Sequence, residues 1–193
     1  MPSLPEPDWP LSDGVVLLRR FTLDDVSDVT RACQDPEIPR WTASIPVPYE
    51  EQHAREWISC HDVWWNEGDR APFAFCSATT GELFGSMSLT SIDWDDRSAD
   101  VGYWAGPWAR NSGATTRALL LMCRWAFDSV DIVTLHLMTL LGNEASERVA
   151  EKAGFELMGT IDGLQAHAAL HPETTVKMKH WVRRAGGGAI PAA

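Results

Sequence analysis

The stretch GYWAGPWARNSGATTRALL, Gly102 to Leu120, decides how the rest of the chain is read. Together with Asp100 and Val101 its first residues read as a strand, Gly106-Pro107 breaks that strand, and after Gly113 the apolar residues Ala118, Leu119, Met122, Trp125 and Ala126 keep helical spacing. Strand, tight loop and helix in direct succession turn the unpaired N–H groups of a helix start, and the positive end of its dipole, toward the loop. Gly113 lets an anion approach the backbone, Arg110 offers a charge-assisted bond, and Ser112, Thr115 and Thr116 offer hydroxyls. Two readings fit this segment alone: a cradle for a phosphate-bearing cofactor, or a capped helix start beside a solvated arginine.

The 193 residues suit one domain, and 45% hydrophobic with 22% charged residues is ordinary globular usage. A formal charge of −11 argues against a protein that grips nucleic acid by neutralising phosphates, and suits a cationic substrate or simple solubility. Cys33, Cys60, Cys76 and Cys123 are far apart with no CxxC pair, which predicts reduced, mostly buried thiols and a cytoplasmic location. MPSLPEPDWPLSDG has neither a basic nor an apolar leader region, and no uncharged run approaches the ~20 residues of a membrane span. Neither an export signal nor a membrane anchor is expected.

Prolines 2, 5, 7 and 10 predict an irregular N-terminal tail over residues 1–10, and AGGGAIPAA a flexible tail over 185–193, leaving one folded domain at 11–184. Within it, Val15–Phe21 reads as a strand, Thr22 as the N-cap of a helix through Cys33, and DPEIPRWTASIPVP as irregular because of its three prolines. A helix follows over Tyr49–Asn66, with Ala54, Trp57, Ile58, Trp64 and Trp65 on its apolar face. PFAFCSATTGELFGSMSLTSID reads as two strands about a Thr80-Gly81 turn, and SADVGYWAG as the third of an antiparallel meander. IVTLHLMTLL is a strand, NEASERVAEKAG a helix with Asn143 as N-cap and Gly154 as C-cap, and FELMGTI and TTVKMKHWV the last strands. The order gives an α+β plan whose mixed sheet has parallel pairing in its second half.

The neighbourhood of the loop makes its reading specific. LRRFTLDDV, DPEIPRW, TGELFGSMSL, the GYW strand and the helix motif NxxSxRVxEKxGF together resemble the GNAT superfamily of acyl-CoA N-acyltransferases, in particular its RimJ/RimL-like branch, over about Leu11 to Trp181. The family's loop pattern Q/R-x-x-G-x-G/A is matched by Arg110 and Gly113, with Thr115 in the third place and Asn111 where a glycine is common. The resemblance implies a three-layer fold with a central sheet of about seven strands, splayed in the middle and flanked by helices. It also implies acetyl-CoA as co-substrate, without a metal. Arg110 and the backbone of Asn111, Ser112, Gly113, Ala114, Thr115 and Thr116 would hold its pyrophosphate, Trp104 and Ala105 would pair with its pantetheine, and Asn143 would contact it or cap its helix.

The expected reaction is direct attack of a primary amine, from a small molecule or a protein N-terminus, on the thioester in a ternary complex. No cysteine is placed for a covalent intermediate. An amine near pKa ~10 must first lose a proton. Asp100 lies where relatives place a catalytic glutamate, and is either the base, acting through water, or a solvated strand-end carboxylate with Asp93, Asp95 and Asp96 as rivals. Ala150 occupies the position where many relatives carry the tyrosine that protonates the thiolate, which leaves Ser146 as the candidate acid or else a small first-turn residue. The oxyanion would take a backbone N–H near Trp104 and Ala105. Trp41 heads the aromatic residues expected at the acceptor site, with His136 and His167 as further substrate contacts; His167 and His171 lack a third metal ligand, and Gln165 and Glu173 flank them. Two alternatives remain: transfer of a larger acyl group such as succinyl, and a non-catalytic CoA-binding or interaction domain of the same fold. A homodimer is plausible by resemblance.

Overall fold

The turn Asp13–Val15 shows how the first strands form. The Asp13 carboxylate accepts from the amides of Val15 and Val16, both at 2.9 Å, and Gly14 takes the left-handed backbone that the turn needs (φ +85°). Leu11–Ser12 (β1) thereby folds back on Val16–Arg19 (β2), whose Val16 and Leu18 are fully buried. Asp13 also holds Arg117 at 2.7 Å, which ties the turn to a helix a hundred residues away. In the computed structural model, residues 3–7, 10–42, 45–165 and 174–187 are described.

After β2 come the helices Val26–Cys33 (α1), Glu37–Trp41 (α2), Glu51–Ser59 (α3) and His61–Glu67 (α4). The meander follows as Ala71–Ser77 (β3), Leu83–Asp93 (β4) and Ser98–Ala105 (β5), then Ala114–Asp128 (α5), Thr134–Leu140 (β6), Glu144–Lys152 (α6), Glu156–Gln165 (β7) and Thr174–Arg184 (β8). One eight-stranded sheet runs β1-β2-β3-β4-β5-β6-β8-β7. Every pair is antiparallel except β5 and β6, which α5 connects; a second crossover, through α6, carries the chain from β6 past the position of β8 to β7. That parallel ladder has only three rungs, Ser98 with Thr134, Ala99 with Leu135 and Asp100 with His136, and beyond them the two strands diverge. This is the expected splay in a mixed α+β sheet.

Each face of the sheet carries its own core. Ala99 and Val101 of β5, Leu135 and Leu137 of β6 and the apolar side of α5 form one, including the fully buried Leu119, Met122 and Trp125. Phe21, Val29, Ile38, Ala54, Ile58 and Trp104 form the other, under α1, α2 and α3. Alternation along β5 therefore sends Asp100, Gly102 and Trp104 to the α1–α3 side and Val101 and Tyr103 to the α5 side.

Four local readings are corrected. The eighth strand is β1, two residues long and too short for periodicity to reveal. The helix expected over Tyr49–Asn66 is two helices, α3 and α4, that meet at Cys60, which is exposed while the other three free cysteines are buried. DPEIPRW is helical in part, because Pro39 falls in the first turn of α2, where an N–H has no intrahelical acceptor to lose. The proline-rich N-terminus lacks regular structure over residues 3–7, yet Leu4 is buried and exchanges bonds with Trp65: its amide donates to the Trp65 carbonyl (3.3 Å) and its carbonyl accepts from Trp65 Nε1 (3.1 Å).

His61, the first residue of α4, is 5% exposed among Phe21, Trp57 and Trp64, and neither ring nitrogen has a hydrogen-bond partner among the described residues. Burial, helped by the Arg20 charge and opposed by Asp62, pushes its pKa down to about 4. Above the unfolded value near 6.5 the ring is neutral in both states. As pH falls from there toward 4 the unfolded chain takes up a proton that the folded chain resists, so stability is lost across that window, on the order of 3 kcal/mol at its lower end. His61→Phe is expected to remove this part of the acid destabilisation, measured as a smaller difference in urea unfolding free energy between pH 7.5 and pH 5 than in the unsubstituted chain. An equal difference in both proteins would refute it.

Candidate active site

The splay opens a cavity of about 1050 Å³, a size that accommodates a large ligand. Gly102, Tyr103, Trp104 and Ala105 line it from β5, and Leu137 to Leu140 from β6. Along this stretch β5 pairs with β4 on one side only, Ser86 with Trp104 and Gly85 with Ala105, so its edge toward β6 has no strand partner among the described residues. Backbone N–H and C=O groups on such an edge are available to an extended ligand that itself carries amides.

At one end lies the loop before α5. Asn111 (φ +59°) and Gly113 (φ +82°) both adopt the left-handed conformation, which gives Asn111 a physical reason where a glycine is common, since asparagine is among the better-tolerated residues there. A side chain at Gly113 would meet no protein atom within 4 Å, so the space above this glycine is open. Ser112 Oγ donates to the Ala109 carbonyl (2.7 Å) and accepts from the Ala114 amide (3.2 Å), so its hydroxyl shapes the loop. The first-turn amides of Thr115 and Thr116 have no intrahelical carbonyl to reach, and both residues line the cavity.

Arg110 also lines the cavity, but its guanidinium is engaged: Nη2 holds the Asp35 carboxylate at 2.7 Å and Nε donates to the Ala105 carbonyl at 3.3 Å. It fastens the loop to the α1–α2 junction. Sequence reasoning took Arg110 for a phosphate ligand and did not see Asp35, because the two are 75 residues apart.

On the α6 side, the Asn143 side chain accepts from the Ser146 amide at 3.2 Å, the expected N-cap. Ser146 Oγ lies 2.8 Å from the Tyr103 hydroxyl, which also donates to the Ser146 carbonyl at 3.3 Å. Ala150 is fully buried. A phenol does therefore reach this part of the slot, but from β5 and through Ser146. Burial pushes the Tyr103 pKa up to about 12, with the Ser146 bond opposing, so the phenol stays protonated at neutral pH. Tyr103 escaped the sequence reading because only the fold brings it to α6. Arg148 and Lys152, one turn apart on α6, also face the cavity.

The lining also has an aromatic and acidic part: Trp41, whose Nε1 donates to Glu37 at 3.0 Å, lines the cavity together with Trp57, Tyr49, His53 and Glu56. At the narrow end, Thr90 lines the cavity and pairs with Asp100. Asp100 and His136 stand just outside the lining; burial raises the Asp100 pKa, while Ser91, His136 and His180 oppose. Asp93 is engaged in a turn, accepting from the amides of Asp95 (3.0 Å) and Asp96 (2.9 Å). His167, His171 and Glu173 lie outside the described residues, and Gln165 ends β7.

Comparison with known proteins agrees with this geometry. The chain matches the acetyltransferase (GNAT) domain family over residues 16–156. It is 32% identical over 92 residues to the putative ribosomal N-acetyltransferase YdaF of Bacillus subtilis, a match that covers 47% of this chain and 50% of YdaF, so half of that curated relative's length is spanned. The fold superposes on a putative ribosomal-protein-serine acetyltransferase from Vibrio cholerae with a TM-score of 0.80 at 18% identity, covering 94% of this chain and 100% of that one. It superposes on Mycobacterium smegmatis RimJ, determined in complex with CoA-disulfide, with a TM-score of 0.76 at 20% identity, covering 90% and 84%. With the family match spanning most of the chain and the splayed sheet in place, the protein belongs to the acetyltransferase (GNAT) domain family.

Proposed function

We propose that this protein is an acetyl-CoA-dependent N-acetyltransferase whose acceptor is the terminal amine of a polypeptide. The observation that carries the reading is the cavity at the splay, whose lining combines a helix-start loop, Arg148 and Lys152 of α6, acidic and aromatic side chains, and an unpaired β5 edge. The loop and the two α6 cations suit a phosphorylated carrier, and the acidic and aromatic side chains an ammonium. Proteins similar to this chain are named as ribosomal acetyltransferases, which favours a polypeptide amine over a small one.

In this reading the loop from Asn111 to Thr116 holds the pyrophosphate, with Gly113 allowing close approach and Arg110 keeping the loop in shape through Asp35. Pantetheine lies along Trp104 and Ala105. The neutral amine attacks the thioester carbonyl carbon, the new C–N bond forms as the C=O pair moves to oxygen, and a backbone N–H of the β5 edge stabilises that charge. Collapse breaks the C–S bond, the sulfur takes a proton from Ser146, whose hydroxyl Tyr103 orients, and the second proton of the attacking nitrogen, lost as the amide forms, restores that hydroxyl. Asp100 is the route for the proton the ammonium loses before attack. The reading includes a cytoplasmic location and a homodimer.

Release of free CoA thiol from acetyl-CoA is expected with peptides that begin in a free amine, and not with the same peptides N-acetylated. Calorimetric CoA binding without thiol release from any peptide or small amine would favour a non-catalytic CoA-binding domain, and faster turnover with succinyl-CoA a larger acyl donor. Gly113→Val should weaken CoA binding at least about tenfold, since valine at a left-handed position strains the loop and fills the open space above it; an unchanged Kd would refute the cradle. Ser146→Ala should lower kcat by roughly 100-fold and Tyr103→Phe by roughly tenfold, with the KM for acetyl-CoA unchanged and the double variant no slower than Ser146→Ala alone. Additive losses would mean that the two hydroxyls act separately.

A further inference from the structure

The last rung of the β5–β6 ladder is Asp100 opposite His136, so the position at which the sheet divides carries an ionisable side chain on both strands. A third joins them from β8. His136 Nδ1 and His180 Nε2 are 2.9 Å apart, with the rings stacked at 5.1 Å between centroids and 29° between planes. In the β6–β8 register His136 faces Val182 and His180 faces Met138, so the two histidines are diagonal neighbours on one face of the sheet.

All three groups stand in the same relation to the cavity. Each lies two residues along its own strand from a residue that lines it: Asp100 from Gly102, His136 from Met138, and His180 from Met178. Two residues along a strand is one step on the same face, about 7 Å. The cavity also reaches the level of Asp100 itself through its pairing partner Thr90. Behind His180 the sheet face is open, since Ile161, paired with Met178 on β7, is 40% exposed. The three side chains thus connect the closed apex of the slot with solvent on the far side.

The chemistry of the pair is restrictive. At 2.9 Å the two facing nitrogens have room for one hydrogen between them, so one ring donates and the other accepts. The pair can take up one further proton on an outer nitrogen and not a second without opening. The Asp100 carboxylate offsets the charge of that one proton. Burial and the His136 ring lower the His180 pKa while Asp100 opposes. Of the charges around the pair, Lys179 pairs with Glu147 at 2.7 Å and Arg183 bonds the Ala153 carbonyl, both on the α6 side, while Arg184, opposite Thr134, and Glu156 of β7, opposite Val182, share the face of the two histidines. Asp93 of β4 is engaged in its turn, and Arg97, just before β5, pairs with Asp131.

We infer that Asp100, His136 and His180 form a proton path that takes the proton of the acceptor ammonium from the apex of the slot to the open face of β7 and β8. This rests on the reading of the protein as an amine acetyltransferase. The N–H bond of the ammonium breaks with its electron pair left on nitrogen, the proton passes by way of Asp100 or a water at its carboxylate to the imidazole pair, and His180 releases it to solvent. No electron is transferred, and the amine is left neutral for attack. His180 acts at a distance from the acceptor, as a relay.

The test uses the full chain, with the acceptor peptide that turns over fastest in the thiol-release assay and the pH dependence of kcat/KM as the readout. His180→Gln is expected to lower the rate about tenfold near pH 7 and to move the acidic limb of the profile upward by about one unit, with the KM for acetyl-CoA and the melting temperature unchanged; His136→Gln should do the same. Added imidazole should restore part of the rate to His180→Ala. In ¹⁵N spectra of the histidine rings, the two should titrate as a coupled pair, and His180→Gln should change the titration of His136. Turnover with an unchanged pH profile in His180→Gln overturns the relay and leaves the acetyltransferase reading intact, and rings that titrate independently overturn it whatever the kinetics. No turnover with any acceptor removes the acetyltransferase reading and the relay with it.

Discussion

The constraint on which the rest depends is the three-rung ladder between β5 and β6. A sheet that divides after Asp100 and His136 leaves two inner strand edges whose backbone groups need partners, and such edges are tolerated where they line a cavity that water or a ligand fills. α5 makes the division possible. It starts at the far end of β5, returns along one face of both strands with Leu119, Met122 and Trp125 fully buried, and so holds the parallel pair together at its base while the tops diverge. The opposite face is closed by a second core under α1 to α3, in which Trp104 marks where β5 passes beneath those helices. Two cores of separate composition, one on each side, keep the slot from collapsing.

Polar contacts then fix the width of the opening. On the α5 and α6 side, the Tyr103–Ser146 bond spans from β5 to the helix that follows β6, and the Asn143 cap sets the orientation of that helix's first turn. At the loop, the ion pair between Arg110 and Asp35 joins the end of β5 to the α1–α2 junction with both side chains only partly exposed, 32% and 21%. A pair this sheltered, supplemented by the Ala105 carbonyl, holds geometry better than a solvated one, though what each contributes to stability is of the order of 1 kcal/mol. Both fastenings lie at the diverging part of the strands.

What the sequence revealed follows from the range over which its signals act. Period-two alternation and cap residues are local, so the order of strands and helices, the N-cap Asn143 and the loop around Gly113 were legible, as was the family from their spacing. The two-residue β1 is below the length at which alternation can be seen. Pro39 was read as a breaker because a proline within the first helical turn differs from one in the interior only by where the helix begins. The residues missed at the site, Asp35, Tyr103 and His180, have their partners 75, 43 and 44 residues away, and no local pattern couples such positions. Arg110 shows the same limit from the other side: its type and place pointed to a phosphate, and its ion pair with Asp35, on another element, was not visible.

Tyr103 also bears on Ala150. A hydroxyl near the reacting sulfur need not come from the helix, because the group that matters is a proton donor held at the right place, and the strand can supply it. Residue 150 is fully buried against the α5 core, so a phenol there would have to displace packed atoms, whereas Tyr103 reaches the first turn of α6 from β5 with its ring partly buried against the same core and its hydroxyl at Ser146. That ring pays no penalty for a charge it does not carry, since desolvation keeps the phenol neutral. The same desolvation that would make Tyr103 a poor base keeps its hydroxyl protonated beside Ser146, so the small residue at 150 and the tyrosine at 103 are two sides of one packing solution.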